Sequence, residues 1–165
     1  MTRTAIDSRR LLGTWELRRW YVTEVDGTEV EPLGPGAVGL LIFTADGWAS
    51  ITAAAADRPP LSRRRLQAAP AEERAAAFDT FVSYCCRWRV VADTVELQVL
   101  LSQNPAMVGT VQVRRLQLRG HTLTTLTVEN LPAGQRVHRL DWRPARVPVV
   151  VRGAGFDGRA TRSRT

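Results

Sequence analysis

Lysine is missing altogether. All 23 basic side chains are arginine, set against 16 acids and two histidines, for a formal net charge of +7. Proteins that bind phosphate normally draw on both cationic residues, so an arginine-only, alanine-rich chain reads as the coding bias of a GC-rich genome. The charge is also uneven. Arg146, Arg152, Arg159, Arg162 and Arg164 stand against Asp157 alone, a balance of +4 over residues 146–165, which leaves +3 for the other 145 residues. A nucleic-acid partner needs a basic stripe on the fold itself, and none is expected. The C-terminal charge reads instead as a solvated, flexible tail.

Cysteine is nearly as scarce. Cys85 and Cys86 are adjacent, and vicinal residues rarely satisfy disulfide geometry. They lack zinc-site spacing and read as two apolar thiols in a reducing compartment. With His121 and His138 as the only imidazoles, no metal site is expected. No stretch approaches the roughly 20 apolar residues that span a bilayer. Met1 to Arg10 is a polar leader without a signal-peptide core, so a cytoplasmic protein with no membrane partner is expected. There is no Walker phosphate loop, no Gly-x-Gly-x-x-Gly opening a helix and no Gly-x-Ser-x-Gly elbow. Any chemistry should therefore be free of cofactors: acid–base catalysis or templating of a reactive substrate.

What remains is ordinary globular material. The chain has 165 residues, 44% apolar and 24% charged, enough for one domain with a real core. Short strands dominate. Leu11 to Thr23 is an aromatic, β-favouring run ending near an Asp26-Gly27 turn. Pro32 to Gly36 is too broken for regular structure. Val38 to Thr44 and Trp48 to Thr52 flank Asp46-Gly47, a strong hairpin signal. Ala53 to Ala69 lacks strand periodicity, and Pro70 can open a short helix over Ala71 to Phe78, with Glu72 and Glu73 favourable in its first turn.

Strands then resume. Val82, Tyr84, Cys86, Trp88 and Val90 alternate with Ser83, Cys85, Arg87 and Arg89 over one strand. In Thr94 to Ser102 the apolar face is Val95, Leu97, Val99 and Leu101. Val111 to Leu118, Leu123 to Val128 and Val137 to Arg143 follow, and Val147 to Val151 could add an edge strand. About eight strands and one short helix predict an all-β, antiparallel meander, either sandwich or barrel. The chain divides into a leader (1–10), a domain (11–145) and a basic tail (146–165).

Several segments, in order, resemble one family. Leu12-Gly13-Thr14-Trp15 is similar to the Gly-x-Trp opening of lipocalin-like proteins. Gly36 to Trp48 resembles the Gly-x-leucine-x-tyrosine-threonine, then Asp-Gly-aromatic, hairpin of the bacterial and fungal lipocalin-like domain family. Phe81-Val82-Ser83-Tyr84 resembles its Phe-Val-Ala-Tyr strand. Ser102 to Arg114 resembles its Ser-x-x-Pro-x-x-x-Gly-Thr-x-Gln-x-Arg segment, and Leu140 to Arg143 its closing Leu-x-Trp-Arg. Where the family commonly shows a His pair before Ser-x-x-Pro, this chain has Leu97 and Gln98, so chemistry resting on those His residues does not carry over. The resemblance implies a closed antiparallel barrel of about eight strands, and a barrel of that size has room for one small ligand, held by apolar walls and oriented by a few polar groups.

Candidate residues follow from strand faces. Thr110, Gln112 and Arg114 share one face, Val111 and Val113 the other. Either the valines pack inside, or the polar set does; the resemblance includes Gln112 and Arg114 and favours the second. A buried Arg needs a partner, such as a ligand carboxylate, enol or carbonyl oxygen, or an internal acid such as Glu96 or Asp141. Tyr84 needs a hydrogen-bond partner if buried, which a ligand could supply; core packing is the plainer role for it and for Trp88 and Cys86 on the same face. Trp48 follows a turn and could gate or floor a pocket. His138, on a face with Leu140 and Trp142, is the one imidazole suited to proton transfer, although a structural histidine is the commoner case; His121 follows Gly120 in a turn and should face solvent. By resemblance, Trp15 should pack beneath Arg143 in a cation–π contact at the closed end, a structural role.

Together these readings predict a barrel enclosing an apolar small molecule. The expected activity is a cofactor-free cyclisation, dehydration or isomerisation of a polyketide-like secondary metabolite. Arg114, Tyr84 and His138 would be catalytic; Gln112, Trp88, Trp48, Cys86 and Trp142 would hold the ligand. The alternative is a non-catalytic carrier, sensor or self-protection protein, and a homodimer is left open. A third reading, an interaction domain with a solid core, has no ligand-sized cavity.

Overall fold

The computed structural model describes residues 6–146. The leader's first five residues, the Val147 to Val151 strand and the rest of the basic tail lie outside the described residues. Nine strands run antiparallel: β1 (Gly13–Thr23), β2 (Glu29–Val30), β3 (Val38–Phe43), β4 (Trp48–Ala54), β5 (Phe81–Val91), β6 (Thr94–Ser102), β7 (Val111–Arg119), β8 (Thr122–Leu131) and β9 (Gly134–Pro144). The sheet order is β2-β1-β3-β4-β5-β6-β7-β8-β9, and β1 also pairs with β9. Eight strands therefore close a barrel. The two-residue β2 is a flap on β1, through Val22 and Thr23. One helix, α1 (Ala71–Asp79), lies between β4 and β5.

Local chemistry accounts for the turns. Gly47 sits at φ 86°, the left-handed region that glycine enters without a Cβ clash, and the Thr44 amide donates to the Trp48 carbonyl at 2.8 Å. In α1, Pro70 stands at the N-cap and Glu72 and Glu73 occupy the first turn, where carboxylates meet the positive end of the helix dipole. No helix among the described residues is long and apolar enough to cross a membrane.

The two ends of the barrel differ. At one end Leu11, in a 3-10 turn over Ser8–Leu11, is wholly buried, and the Trp15 indole donates to its carbonyl at 2.8 Å. Phe43 and Trp88 meet there at 4.8 Å between ring centroids, and the Trp88 indole donates to the Thr44 carbonyl at 3.1 Å. This end is closed by packing. The long connections, 55–80 with α1 and 103–110, gather at the other end.

Two expectations are corrected. Leu101 does not join the apolar face of β6 but is 69% exposed. Cys85 pairs with Leu101 and Cys86 with Val99, so an irregularity consumes one residue of β6, and a one-residue slip turns a side chain to the opposite face. Arg143 does not cover Trp15. Trp15 lies opposite Pro144 and Glu16 opposite Arg143, so Arg143 shares the outer face with Glu16 and binds its carboxylate at 2.8 Å.

Candidate functional site

The upper half of the barrel holds a cavity of about 670 Å³. Its walls are mainly apolar: Leu41, Phe43, Ile51, Val95, Leu97, Leu140 and the Trp142 ring. Small residues keep it hollow, since Ala53 faces inward, 2% exposed, where a larger side chain would project into the space. The open end is rimmed by Phe78 and Asp79 from α1, by Gln103, Asn104 and Met107 from the β6–β7 connection, and by Val128, Glu129 and His138.

Strand β7 inverts the usual rule. Gln112 and Arg114 are half-buried and line the cavity, while Val111 and Val113 face outward, 53% and 48% exposed. The buried Leu116, two residues below Arg114, fixes which face is inside. Neither internal acid expected for Arg114 meets it. Glu96 is bound by Arg89 at 2.6 Å, and Asp141 by the Thr124 hydroxyl at 2.6 Å and Arg139 at 3.2 Å. Among the described residues Arg114 has no carboxylate partner. Its guanidinium donates to the Val113 carbonyl at 3.2 Å and to the Gln112 side-chain oxygen at 3.3 Å, and it lies beside the Tyr84 hydroxyl.

Tyr84 is 8% exposed. Burial pushes its phenol above the ordinary value, with the Arg114 charge opposing, so at neutral pH it is a hydroxyl donor and not a phenolate. His138 lines the cavity on β9, its Nε2 3.6 Å from a Glu129 oxygen. Glu129 also meets Arg136 at 3.5 Å.

The structure thus brings Tyr84, Gln112, Arg114, His138 and Trp142 to one cavity. The Trp142 indole donates to Thr125 at 3.2 Å, leaving its ring as wall. Three expected ligand contacts lie elsewhere. Trp48 is on the outer face of β4, 44% exposed, under Arg87 at 4.6 Å, because inward Ala49 and Ile51 set the opposite parity. Trp88 and Cys86 do face inward, but below the cavity floor. Trp88 is spent on Phe43, and the Cys86 thiol points to the Ala49 carbonyl at 3.6 Å. Burial, with Cys85 nearby, pushes the Cys86 thiol up to about 12, so it is inert rather than nucleophilic.

Sequence reasoning missed two residues. Trp20 lines the cavity with a buried indole N–H that has no partner among the described residues. The irregularity between Leu17 and Arg19 returns it to the inner face, and nothing in simple alternation signals that. Glu129 is the second; its alignment with His138 across the β8–β9 ladder, where Glu129 pairs with Arg136 and Thr127 with His138, was the available cue.

A closed eight-stranded antiparallel barrel with a ligand-sized, mainly apolar cavity belongs to the class of barrels that bind hydrophobic small molecules. The model of the lipocalin-like domain family matches residues 12–145, and the chain belongs to that family. No curated protein matches the sequence.

Proposed function

We propose that the barrel encloses an apolar metabolite and promotes a cofactor-independent rearrangement of it, of the cyclisation, dehydration or isomerisation type suited to a polyketide-like substrate. The observation that carries this reading is Arg114. It is a charge lining an apolar cavity, with Gln112 and the neutral Tyr84 beside it and no carboxylate among the described residues to neutralise it. Such donors suit a carbonyl whose oxygen gains negative charge as a neighbouring C–H bond is broken. The Glu129-backed His138 supplies a base at the rim that can take that proton and return it elsewhere. Apolar walls exclude water and fold a flexible substrate toward reactive geometry.

Turnover decides between this reading and a carrier. The purified protein, incubated with aromatic and reduced polyketide intermediates, is expected to convert one of them. Tyr84→Phe and His138→Gln should each slow conversion about 100-fold while changing affinity less than about tenfold. Affinity loss without product from any candidate would replace the enzyme by a non-catalytic binding protein.

A further inference from the structure

Strands β7 and β8 do not stay together. Their ladder runs from Arg119–Thr122 to Arg115–Leu126. Above it, among the described residues, 111–114 pair only with β6, and 127–131 only with β9. The wall is parted at that height. Thr127, Val128 and Glu129 all reach the cavity although they are consecutive. Consecutive strand residues face opposite ways, so the lumen extends past the edge of β8 into the gap.

Backbone direction on β7 identifies the other edge. The Thr110 carbonyl accepts from Val99, and the Leu116 amide donates to Asp93, so even-numbered residues turn their polar groups toward β6. Val113 therefore turns its N–H and C=O into the gap, and its carbonyl takes the Arg114 guanidinium at 3.2 Å. Arg114 stands at the inner lip of this opening, held by neutral oxygens at distances longer than charge-assisted bonds adopt, about 2.7–2.9 Å. Glu129, a carboxylate at the rim, is engaged by Arg136 and His138.

We propose that the ligand is an apolar molecule carrying one delocalised oxyanion, a carboxylate or an enolate, and that this oxyanion docks on Arg114 at the gap between β7 and β8. The inference rests on the reading of the lumen as a ligand site. A planar guanidinium presents paired N–H donors that match two oxygens sharing a charge. The apolar body of the ligand then lies against Leu41, Ile51 and Leu140, and the oxyanion replaces the weak neutral contacts of Arg114.

Competition against the neutral fluorescent dye N-phenyl-1-naphthylamine tests this at pH 8. Dodecanoate supplies the carboxylate, 2-dodecanoylcyclohexane-1,3-dione the enolate and dodecanol the uncharged control. One or both acids should displace the dye at concentrations about 10- to 100-fold below dodecanol, the ratio a charge-assisted hydrogen bond carries. Which acid is preferred assigns the oxyanion. Arg114→Leu should erase the ratio while still taking up the dye, and Arg114→Lys should keep part of it. Equal strength for acids and alcohol, or an unchanged ratio in Arg114→Leu, overturns the proposal and leaves the lumen reading standing. If dye, acids and alcohol all fail to bind, by displacement and by native mass spectrometry, the lumen reading falls and this one with it.

Discussion

At the scale of single residues, side chains facing the same interior do different work according to height. Cys86 sits low, sealed from water, and its thiol titrates near 12 instead of the usual value near 9. The consequence has a sign. Between pH 9 and 12 the unfolded chain releases this proton and the folded chain keeps it, so stability is full below 9 and falls as pH rises through that window. The loss is about 1.4 kcal/mol per pH unit. Urea melts at pH 8, 9 and 10 should show this slope, and Cys86→Val should flatten it; an identical slope in the variant would place the titration elsewhere. Tyr84, also raised, adds a loss of the same sign that the variant retains. Higher up, Ala53 is wall rather than core. Ala53→Phe should fill the lumen and abolish dye binding, with a melting temperature close to that of the parent, because the added ring enters empty space.

At the scale of elements, α1 is held over the barrel mouth by a few polar ties from the connections beside it. It buries no residue of its own. Gln103 donates to the Phe78 carbonyl at 2.6 Å and Arg58 to the Ala77 carbonyl at 2.9 Å. Each such bond contributes about 1 kcal/mol. The pair Arg58→Ala and Gln103→Ala should speed amide exchange across residues 71–79 and quicken dye release, leaving the amides of β5 to β9 unchanged. The helix itself was legible from Pro70 and the two glutamates, because capping and dipole effects are local. Strands β4 to β9 were legible too, through period-two alternation and Asp-Gly or Gly turns. What alternation misplaced was Leu101, and what it left without a face was Trp20. Leu101 lies outside and Trp20 inside because an extra residue in one strand resets parity beyond it, and that depends on the partner strand.

At the scale of the molecule, closure of β1 on β9 joins the two ends of the domain. Adjacent residues on β9 have unequal parts in it. Trp142 is 1% exposed between β1 and β8, so Trp142→Ala should cost about 3–5 kcal/mol. Arg143→Ala removes only a part-exposed pair with Glu16 and should cost under about 1 kcal/mol. Equilibrium urea unfolding of the two variants should separate them clearly; comparable losses would mean the seam ion pair holds the barrel shut.

The sequence by itself determined the eight strands of the barrel, the antiparallel class, the single helix and the Gln112–Arg114 pairing on one face, since these follow from neighbouring residues and a two-residue period. It also carried the family resemblance that the match over residues 12–145 bears out. Only the tertiary structure decided which face of β7 is inside, that Glu96 and Asp141 are spent on outer-face partners, that Trp48 lies outside the cavity and that β7 and β8 part beside Arg114. Those facts depend on how each strand is registered against one distant in the chain, and register is set by closing the whole barrel, not by any segment of it.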